Sequence, residues 1–254
     1  MDFLAQHVPG DPLLLANAWD AGSARLFASL GATALATTSS GFAASLGRAD
    51  SDLTRYEVLV HCASLVGAVD IPVSADLENG YAASLDEVIT TYRMAAEAGL
   101  AGASIEDWSG SALYDVAEAT DRVSAARAAA PGLVLTGRAE GYLRGAPGLA
   151  EVIARLQAYA EAGADVLYAP ALTDLAEIRT LVAEVPRPVN VLLLPGLTVP
   201  ELADAGVARI SVGGQLAWSA WHGAGTAARD FLSGGVGWLA QAGAGRGDAA
   251  PVIG

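Results

Sequence analysis

Three acidic side chains occur in two short segments whose residue types and spacing could hold a cation. Asp76 and Glu78 stand one residue apart in "SADLENGYA" (residues 74–82), directly behind an apolar run, and Glu106 lies in "IED" (105–107). Ionised carboxylates are costly beside an apolar core unless a partner neutralises them. A hard divalent ion with oxygen ligands and retained waters, Mg²⁺ or Mn²⁺, would remove their mutual repulsion. We therefore predict a metal site formed by Asp76, Glu78 and Glu106.

An arginine follows the next apolar run along the chain. Arg138 of "GRAE" (137–140) could bind a substrate carboxylate through two parallel hydrogen bonds. For each acid taken alone, the alternative is that it caps the helix in the loop behind its strand. Three such acids together with Arg138 favour a binding site.

The segment "TTSSGFAASLGRAD" (37–50) is rich in small hydroxyl residues. Small side chains and a glycine let backbone N–H groups approach an anion closely. We interpret the segment as a loop that carries Thr38, Ser39 and Ser40, and that is long enough to include a mobile flap with Asp50 reaching back over the site. An ordinary turn is the alternative, because these residue types are also common in turns.

A repeated pattern predicts the elements that position these residues. "LFASLGATALATT", "MAAEAGLAGASIED", "AYAEAGADVLYAP" and "ELADAGVARISVGG" each join the end of an amphipathic helix, a glycine and a short apolar run. Glycine can supply the left-handed residue that ends a helix. Helix–glycine–strand units indicate an α/β protein with parallel strands. Eight strands are predicted: Leu13–Ala16, Ala34–Thr37, Ile71–Ala75, Ala103–Ile105, Leu133–Thr136, Val166–Tyr168, Val189–Leu193 and Arg209–Val212.

Eight strand–helix units in 254 residues are typical of an α/β (β/α)8 TIM barrel. We predict one barrel domain over residues 1–254 with a C-terminal helical extension; the clearest helices are Leu85–Ala98 and Val116–Ala129. A doubly wound sheet is the alternative, but no G-x-G-x-x-G follows the first strand. Because barrel chemistry lies at the carboxyl ends of the strands, the acids and Arg138 would be neighbours there.

The composition excludes several classes of function. The formal charge of −14 argues against nucleic-acid binding, because such a surface repels phosphates. All 14 cationic residues are arginines, so Schiff-base chemistry, pyridoxal phosphate attachment and a Walker A loop are excluded. Cys62 is the only cysteine, which excludes an intrachain disulfide. No apolar run approaches the length of a membrane span and no signal peptide is evident, so a cytoplasmic location is expected.

The motifs "TTSSG…SLGRAD", "ADLENGY", "SIED", "GRAE", "GADVLYAP" and "PVNVLL" occur in an order that resembles the isocitrate lyase/phosphoenolpyruvate mutase superfamily, over roughly residues 10–220. The resemblance implies a (β/α)8 barrel whose last helix is exchanged between subunits, in a homotetramer built as a dimer of dimers. It also implies Mg²⁺, and a 2-oxo, enol or 2-hydroxy acid such as oxaloacetate, 2-oxoglutarate or pyruvate. Members of the superfamily make or break C–C or P–C bonds through an enolate that the cation stabilises.

The resemblance also implies roles for individual residues. Asp76 takes the direct metal position, Glu78 the second acidic position, which is usually water-mediated, and Glu106 the third. Arg138 matches the arginine of the family's "ART" motif, and Asp50 matches the flap aspartate. The remaining matches are Ser39 and Ser40, whose amides would hold the substrate carboxylate, Thr38 at a serine position, and Asn190 at the mouth; Arg138, Asp50 and Thr38 are the implied catalytic residues.

The sequence departs from the lyases where they carry proton-transfer groups. Their "K-[KR]-C-G-H" loop is replaced by "WSGSALYDVAEA", a usual aromatic residue is Ala36, and Pro170 stands where lyases have glutamate. An authentic isocitrate or methylisocitrate lyase is therefore not expected. Decarboxylation or retro-aldol cleavage of a small 2-oxo acid, with a proton from water or from a tyrosine (Tyr81, Tyr114 or Tyr142), is the leading hypothesis. The alternatives are mutase or hydrolase chemistry on phosphoenolpyruvate or phosphonopyruvate, and a protein that only binds a 2-oxo acid.

Four large aromatic residues lie near the C-terminus, in "QLAWSAWHGAGTAARDFLSGGVGWLAQ": Trp218, Trp221, Phe231 and Trp238. They could cover the bottom of the barrel. Together with the family resemblance, they favour a helix exchanged with a neighbouring subunit.

Overall fold

Eight parallel strands, β1 to β8, close into a barrel in the order in which they occur along the chain. The computed structural model describes residues 2–50, 52–145 and 148–253. Helices lie between successive strands, so the (β/α)8 barrel predicted from the sequence is confirmed. The strands are β1 Leu13–Ala18, β2 Leu35–Thr37, β3 Val73–Ala75, β4 Gly102–Glu106, β5 Val134–Arg138, β6 Val166–Tyr168, β7 Val189–Leu192 and β8 Arg209–Ser211.

All eight predicted strands are present, but β4 and β5 extend further than predicted. Glu106 and Arg138 are the last residues of these strands and pair directly in the parallel register. They belong to the strands because the ladder between β4 and β5 continues to this pair. The two side chains are consequently fixed by sheet geometry, whereas a loop would position them less firmly.

The helices are α1 Ala21–Ser29, α2 Ser39–Ser45, α3 Arg55–Val66, α4 Leu85–Glu97, α5 Val116–Ala129, α6 Leu149–Glu161, α7 Leu175–Glu184, α8 Val199–Asp204, α9 Gln215–Leu232 and α10 Trp238–Ile253, with a 3-10 turn at Leu4–Gln6. Helix α4 begins, as predicted, behind a capping box of Ser84 and Glu87. None of the helices in the described ranges combines the length and apolar character that crossing a membrane requires.

The interpretation of residues 37–50 as a continuous loop is wrong for half of the segment. Ser39–Ser45 form α2, and Thr38 caps it by accepting a hydrogen bond from the Gly41 amide at 3.3 Å. The Thr–Ser–Ser–Gly run supplies an N-cap, and the alanines behind it favour a helix. Asp50 lies beyond the helix, in the segment that leads to α3.

The apolar core lies mainly between the barrel and its helices. A second, smaller cluster closes the bottom of the barrel, where Phe3 packs among residues at the amino ends of the strands, including Leu13, Val134 and Val166. The four glycines of the helix–glycine–strand pattern, Gly31, Gly99, Gly163 and Gly206, all have positive φ. This is the left-handed conformation that the pattern predicted.

The C-terminal helices present large apolar side chains to solvent. Trp218, Trp221, Phe231, Leu232 and Leu239 are each between 48% and 81% exposed. Helix α10 packs against α1 and α9 of its own chain, and this contact leaves these side chains uncovered. Exposed apolar patches of this kind are typical of association surfaces, which supports the predicted homo-oligomer. The exchange of a helix between subunits stays a prediction.

We expect light scattering to return a mass well above the 25.6 kDa chain, about four times larger for the predicted tetramer. The double variant Trp221→Ser/Phe231→Ser should lower this mass because it removes apolar surface from the interface. The matched control is Tyr56→Ser, which removes an aromatic residue 71% exposed on α3. A wild-type mass equal to one chain would contradict the prediction.

Candidate active site

Two adjoining cavities open at the carboxyl ends of the strands. The inner cavity, about 260 Å³, enters the barrel, and the outer one, about 700 Å³, lies over its rim. Both are lined by Ser39, Asp50, Asp76 and Arg138. The structure brings every site residue predicted from the sequence to one or both cavities: Thr38, Ser39, Ser40, Asp50, Asp76, Glu78, Glu106, Arg138 and Asn190.

Arg138 lies at the centre of the acidic groups. Its Nη1 is 3.3 Å from Asp76 Oδ1 and 3.4 Å from Glu106 Oε2, and its Nε donates to Glu140 Oε1 at 2.5 Å. The Arg138 side chain is 15% exposed, and those of Glu106 and Glu140 are 6% and 0% exposed. Since ion pairs with little solvent are screened weakly, this cluster is a strong electrostatic feature.

Asp76 is held by hydroxyl groups of neighbouring elements. Its amide donates to Thr37 Oγ1 at 2.9 Å, while Ser104 and Ser39 donate to its two carboxylate oxygens at 3.3 and 3.4 Å. These contacts hold the Asp76 side chain in place where it lines both cavities.

Glu78 occupies a strained turn that the neighbouring residues hold in place. Glu78 and Tyr81 have φ values of 46° and 49°, a region that residues other than glycine rarely adopt. The Glu78 carbonyl accepts the Glu106 amide at 3.0 Å, and Tyr81 Oη donates to Glu78 Oε1 at 2.9 Å. The buried Arg122 donates to the carbonyls of Asn79 and Ala82, both at 2.7 Å. Strain of this kind persists where the surroundings fix it, as is common at functional sites.

Burial changes the acidity of the carboxyl groups at the rim. Burial, followed by repulsion from Asp76, raises the pKa of Glu78 to about 7. Burial also raises the pKa of Glu106, although the Arg138 guanidinium opposes the shift. The ionised forms of Glu78 and Glu106 are therefore compensated only in part by the protein alone. An additional cation at this rim would supply the rest.

The acids at the rim do not cap helices. Helix α4 is capped by Ser84 and α5 by Asp115, so Asp76, Glu78 and Glu106 leave the capping to other residues. In the part of the chain that the structure describes, no three His, Cys, Asp or Glu side chains form a ready-made metal cage. The donor set still fits Mg²⁺, because this ion keeps several waters and is commonly bound by only one or two carboxylates.

Two acids next to the predicted ones are buried and have positioning roles that the sequence analysis missed. Asp107 accepts hydrogen bonds from Tyr159 Oη at 2.7 Å, from Arg155 Nη1 at 3.2 Å and from the Glu140 amide at 2.8 Å. These contacts anchor the ends of β4 and β5, and Glu140 in turn holds Arg138. The two adjacent acids in "IED" could have indicated that one faces the cavity and the other faces the helices, because successive strand residues point to opposite faces.

The structure identifies Tyr168 as the cavity tyrosine, in place of the three candidates from the sequence. Tyr168 is the last residue of β6, pairs with Arg138 in the register and lines the inner cavity. Tyr81 and Tyr142 donate to Glu78 and Glu177, and Tyr114 accepts from Asn79; in the described ranges, none of the three lines either cavity. Burial raises the pKa of Tyr168 to about 12, so its phenol stays protonated near neutral pH.

The substrate-side residues occupy the inner cavity. Thr38 is 3% exposed, and its hydroxyl contacts that of Ser40 at 3.2 Å. Ser39 and Ser40 form the first turn of α2, where amide groups lack intrahelical acceptors. Asn190 lies inside the barrel and not at its mouth: its Nδ2 donates to Ser211 Oγ at 3.0 Å and its Oδ1 accepts from Arg209 at 3.0 Å.

Comparisons with known proteins identify relatives of this chain. A family model described as phosphoenolpyruvate phosphomutase matches residues 3–232. An uncharacterised protein of Mycobacterium tuberculosis is 35% identical over 84% of this chain and 82% of its own length. The 2-methylisocitrate lyase of Salmonella typhimurium is 32% identical over 81% of this chain and 75% of its own length. The crystal structure of a candidate lyase/mutase from Burkholderia cenocepacia is 46% identical, covers 91% of this chain and 86% of that one, and superposes with a TM-score of 0.87.

The fold and the site define a (β/α)8 barrel with a carboxylate-and-arginine rim at the carboxyl ends of its strands. The chain belongs to the phosphoenolpyruvate mutase family, within the isocitrate lyase/PEP mutase superfamily.

We expect Glu78 to destabilise the metal-free protein increasingly as the pH rises from about 4.5 to about 7, while the lowered pKa values of His7 and His61 act in the opposite direction. Over this range the unfolded chain has ionised Glu78, whereas the folded protein keeps it protonated, so the contribution of Glu78 favours unfolding. Glu78→Gln should therefore raise the melting temperature in chelator, and by more at pH 8 than at pH 5.5. Glu97→Gln, which removes an exposed acid of α4, is the control. An equal gain at both pH values would show that Glu78 ionises normally.

Proposed function

We propose that the protein is a Mg²⁺-dependent enzyme that breaks a C–C bond in a small 2-oxo or 2-hydroxy dicarboxylic acid, by decarboxylation or retro-aldol cleavage. The supporting observation is the convergence of Asp76, Glu106 and Arg138 at a rim shared by two cavities. Relatives in the superfamily are enzymes that act on small carboxylic acids.

The carboxylates of the rim would hold the magnesium ion. Superfamily members depend on Mg²⁺, and here Asp76 takes the direct position, with Glu78 and Glu106 behind it. The raised pKa values of Glu78 and Glu106 fit this role, because both groups gain from an added cation. When bound, Mg²⁺ supplies Lewis-acid stabilisation of negative charge on the carbonyl oxygen of a 2-oxo acid.

The side chains of the inner cavity bind and orient the acid. Arg138 provides a rigid fork of N–H donors for a carboxylate, and Glu140 and the end of β5 fix its direction. Ser39, Ser40 and Thr38 line the same cavity and offer amide and hydroxyl donors. Asp50 lines both cavities, where it can limit the access of water.

Tyr168 is the proposed proton donor. In decarboxylation of a 2-oxo diacid such as oxaloacetate, the electron pair of the breaking C–C bond moves onto the carbon next to the carbonyl, giving an enolate and carbon dioxide. In retro-aldol cleavage of a 2-hydroxy diacid, water takes the hydroxyl proton and the electron pair moves onto the carbon next to a carboxylate, giving an enolate and an oxo acid. The enolate carbon then takes a proton. Tyr168 lies in the cavity beside Arg138, whose guanidinium is 5.4 Å from the ring centroid. This cation stabilises the phenolate that remains after transfer.

Mutase or hydrolase chemistry on phosphoenolpyruvate or phosphonopyruvate is the second candidate, and the matching phosphoenolpyruvate phosphomutase family model favours it. Both reactions involve the enolate of pyruvate and would use the same rim. Phosphorus NMR of the reaction mixture separates them, because only the second candidate changes a phosphorus signal.

We also propose that the protein is a homotetramer with an exchanged C-terminal helix, and that it is located in the cytoplasm.

We expect turnover of one or more acids in a panel containing oxaloacetate, 2-oxoglutarate, pyruvate and 2-hydroxy acids, and a fall of about a hundredfold or more after chelation, restored by Mg²⁺. Asp76→Asn should give a similar loss, whereas Asp86→Asn, which changes an exposed acid of α4, should not. Full activity in chelator would contradict the metal role. Tight binding of an acid without product over hours would instead favour a protein that only binds 2-oxo acids.

Tyr168→Phe should lower kcat by about a hundredfold or more, while KM changes by less than about threefold, because general acid catalysis contributes to the rate and little to binding. Tyr142→Phe is the matched control, since its hydroxyl contacts Glu177 away from the cavities. If kcat for Tyr168→Phe equals that of the wild type, the proton comes from water.

A further inference from the structure

Arg209 is a buried cation whose polar neighbours are neutral. It is 5% exposed, and its Nε and Nη2 donate to Asn190 Oδ1 and Thr136 Oγ1, both at 3.0 Å. Its Nη1 lies 3.4 Å from His7 Nε2. Among the described residues, no carboxylate forms an ion pair with Arg209, in contrast to Arg138. A buried charge without an opposite charge is costly, so an incoming anion would be favoured here.

His7 does not provide a second positive charge for an incoming anion. Burial, followed by repulsion from Arg209, lowers the pKa of His7 to about 4, so its ring is neutral near pH 7. Burial also lowers the pKa of Arg209 to about 10, which leaves the guanidinium charged. A guanidinium has five N–H donors, and the hydrogen bonds found in the described residues use three of them. The charge and part of the donor set remain for a ligand.

The inner cavity extends down to this guanidinium. Arg209 lines it together with Ala36, Ser74, Ser104 and Ser211. In most barrels, bulky branched side chains fill the layers between the strands. Small side chains here leave open the space that leads from the rim to Arg209, and they present hydroxyl groups along it.

We propose that Arg209 forms an anion subsite at the floor of the cavity and binds the distal carboxylate of a four- or five-carbon dicarboxylic acid. The subsite rests on the proposed function for the other end of the ligand, which lies at Arg138. Arg209 reaches Thr136, two residues below Arg138 on β5. This corresponds to a depth of roughly 6–7 Å along a strand, which a diacid with its hydrogen bonds can bridge. Monocarboxylic acids would leave Arg209 without its partner.

The test compares pairs of ligands that differ only in the distal group. Calorimetry with saturating Mg²⁺ would measure L-malate against 2-hydroxybutyrate, and 2-oxoglutarate against 2-oxopentanoate, in which a methyl group replaces the carboxylate. We expect at least one diacid to bind the wild type about tenfold or more tightly than its partner, because a charge-assisted hydrogen bond is lost in the partner. In Arg209→Met this ratio should fall below about threefold through weaker diacid binding, with the monoacid unchanged.

Two further variants separate charge from packing. Arg209→Lys keeps the charge and should keep part of the preference. Thr136→Val removes one hydrogen bond to Arg209 without altering the charge, and should keep the wild-type ratio. If the wild type binds neither diacid more tightly than its partner, the inference is overturned. This measurement uses no variant, so it does not depend on whether Arg209→Met folds. An undiminished ratio in folded Arg209→Met also overturns it.

Failure of the subsite and failure of the proposed function give different results. Diacid preference that depends on Arg209, without turnover of any acid, supports the subsite and contradicts the enzymatic proposal. Mg²⁺-dependent turnover of a diacid, with the diacid and its monocarboxylic partner bound equally tightly, supports the enzymatic proposal and contradicts the subsite.

Discussion

The contact between Arg138 and its surrounding carboxylates is the interaction on which the site depends. The Arg138 guanidinium pairs with Asp76, Glu106 and Glu140 in a region with little solvent, and Arg144 forms a second ion pair with Glu140. Removing one member of a buried ion pair typically costs about 3–5 kcal/mol, because the other charge is left uncompensated. The same ion pairs therefore stabilise the rim and hold the side chains that are proposed to bind the metal and the substrate. Because burial raises the pKa values of Glu78 and Glu106, an added divalent ion would favour the ionised form of both side chains.

The barrel register determines how this charge is distributed. Residues on adjacent strands pair across the sheet in one continuous line, from Glu106 to Arg138, Tyr168, Asn190 and Arg209. Because side chains alternate between the two faces of a strand, Asp107 instead joins Arg155 and Tyr159 among the helices. The end of β4 thus supplies a candidate site acid, Glu106, and beside it the buried Asp107 that anchors the strand end. Parallel strands closed into a ring give this arrangement without any long loop.

Much of the fold and the rim could be predicted from the sequence, because their signals are local. The four glycines with positive φ marked helix ends, and Asp76, Glu78, Glu106 and Arg138 lie at or just behind the ends of apolar runs that predicted strands. Residues whose role arises from contacts distant in sequence were missed. In the sequence, Tyr168 looks like an ordinary strand residue, and Arg209 in "ARIS" looks like any other arginine. Only the register of the strands shows that both side chains line the cavity. Helix α2 was missed because a Thr–Ser–Ser–Gly run favours a cap and a turn equally.

The apolar cluster that closes the bottom of the barrel lies close to the inner cavity. Phe3 packs among the lower strand residues, and His7 Nε2 lies 3.4 Å from Nη1 of Arg209, which lines the inner cavity. The segment that carries Phe3 and His7 is therefore separated from the interior of the cavity by the Arg209 side chain. Substitution of His7 can change the surroundings of this guanidinium, and with them the electrostatic potential inside the cavity.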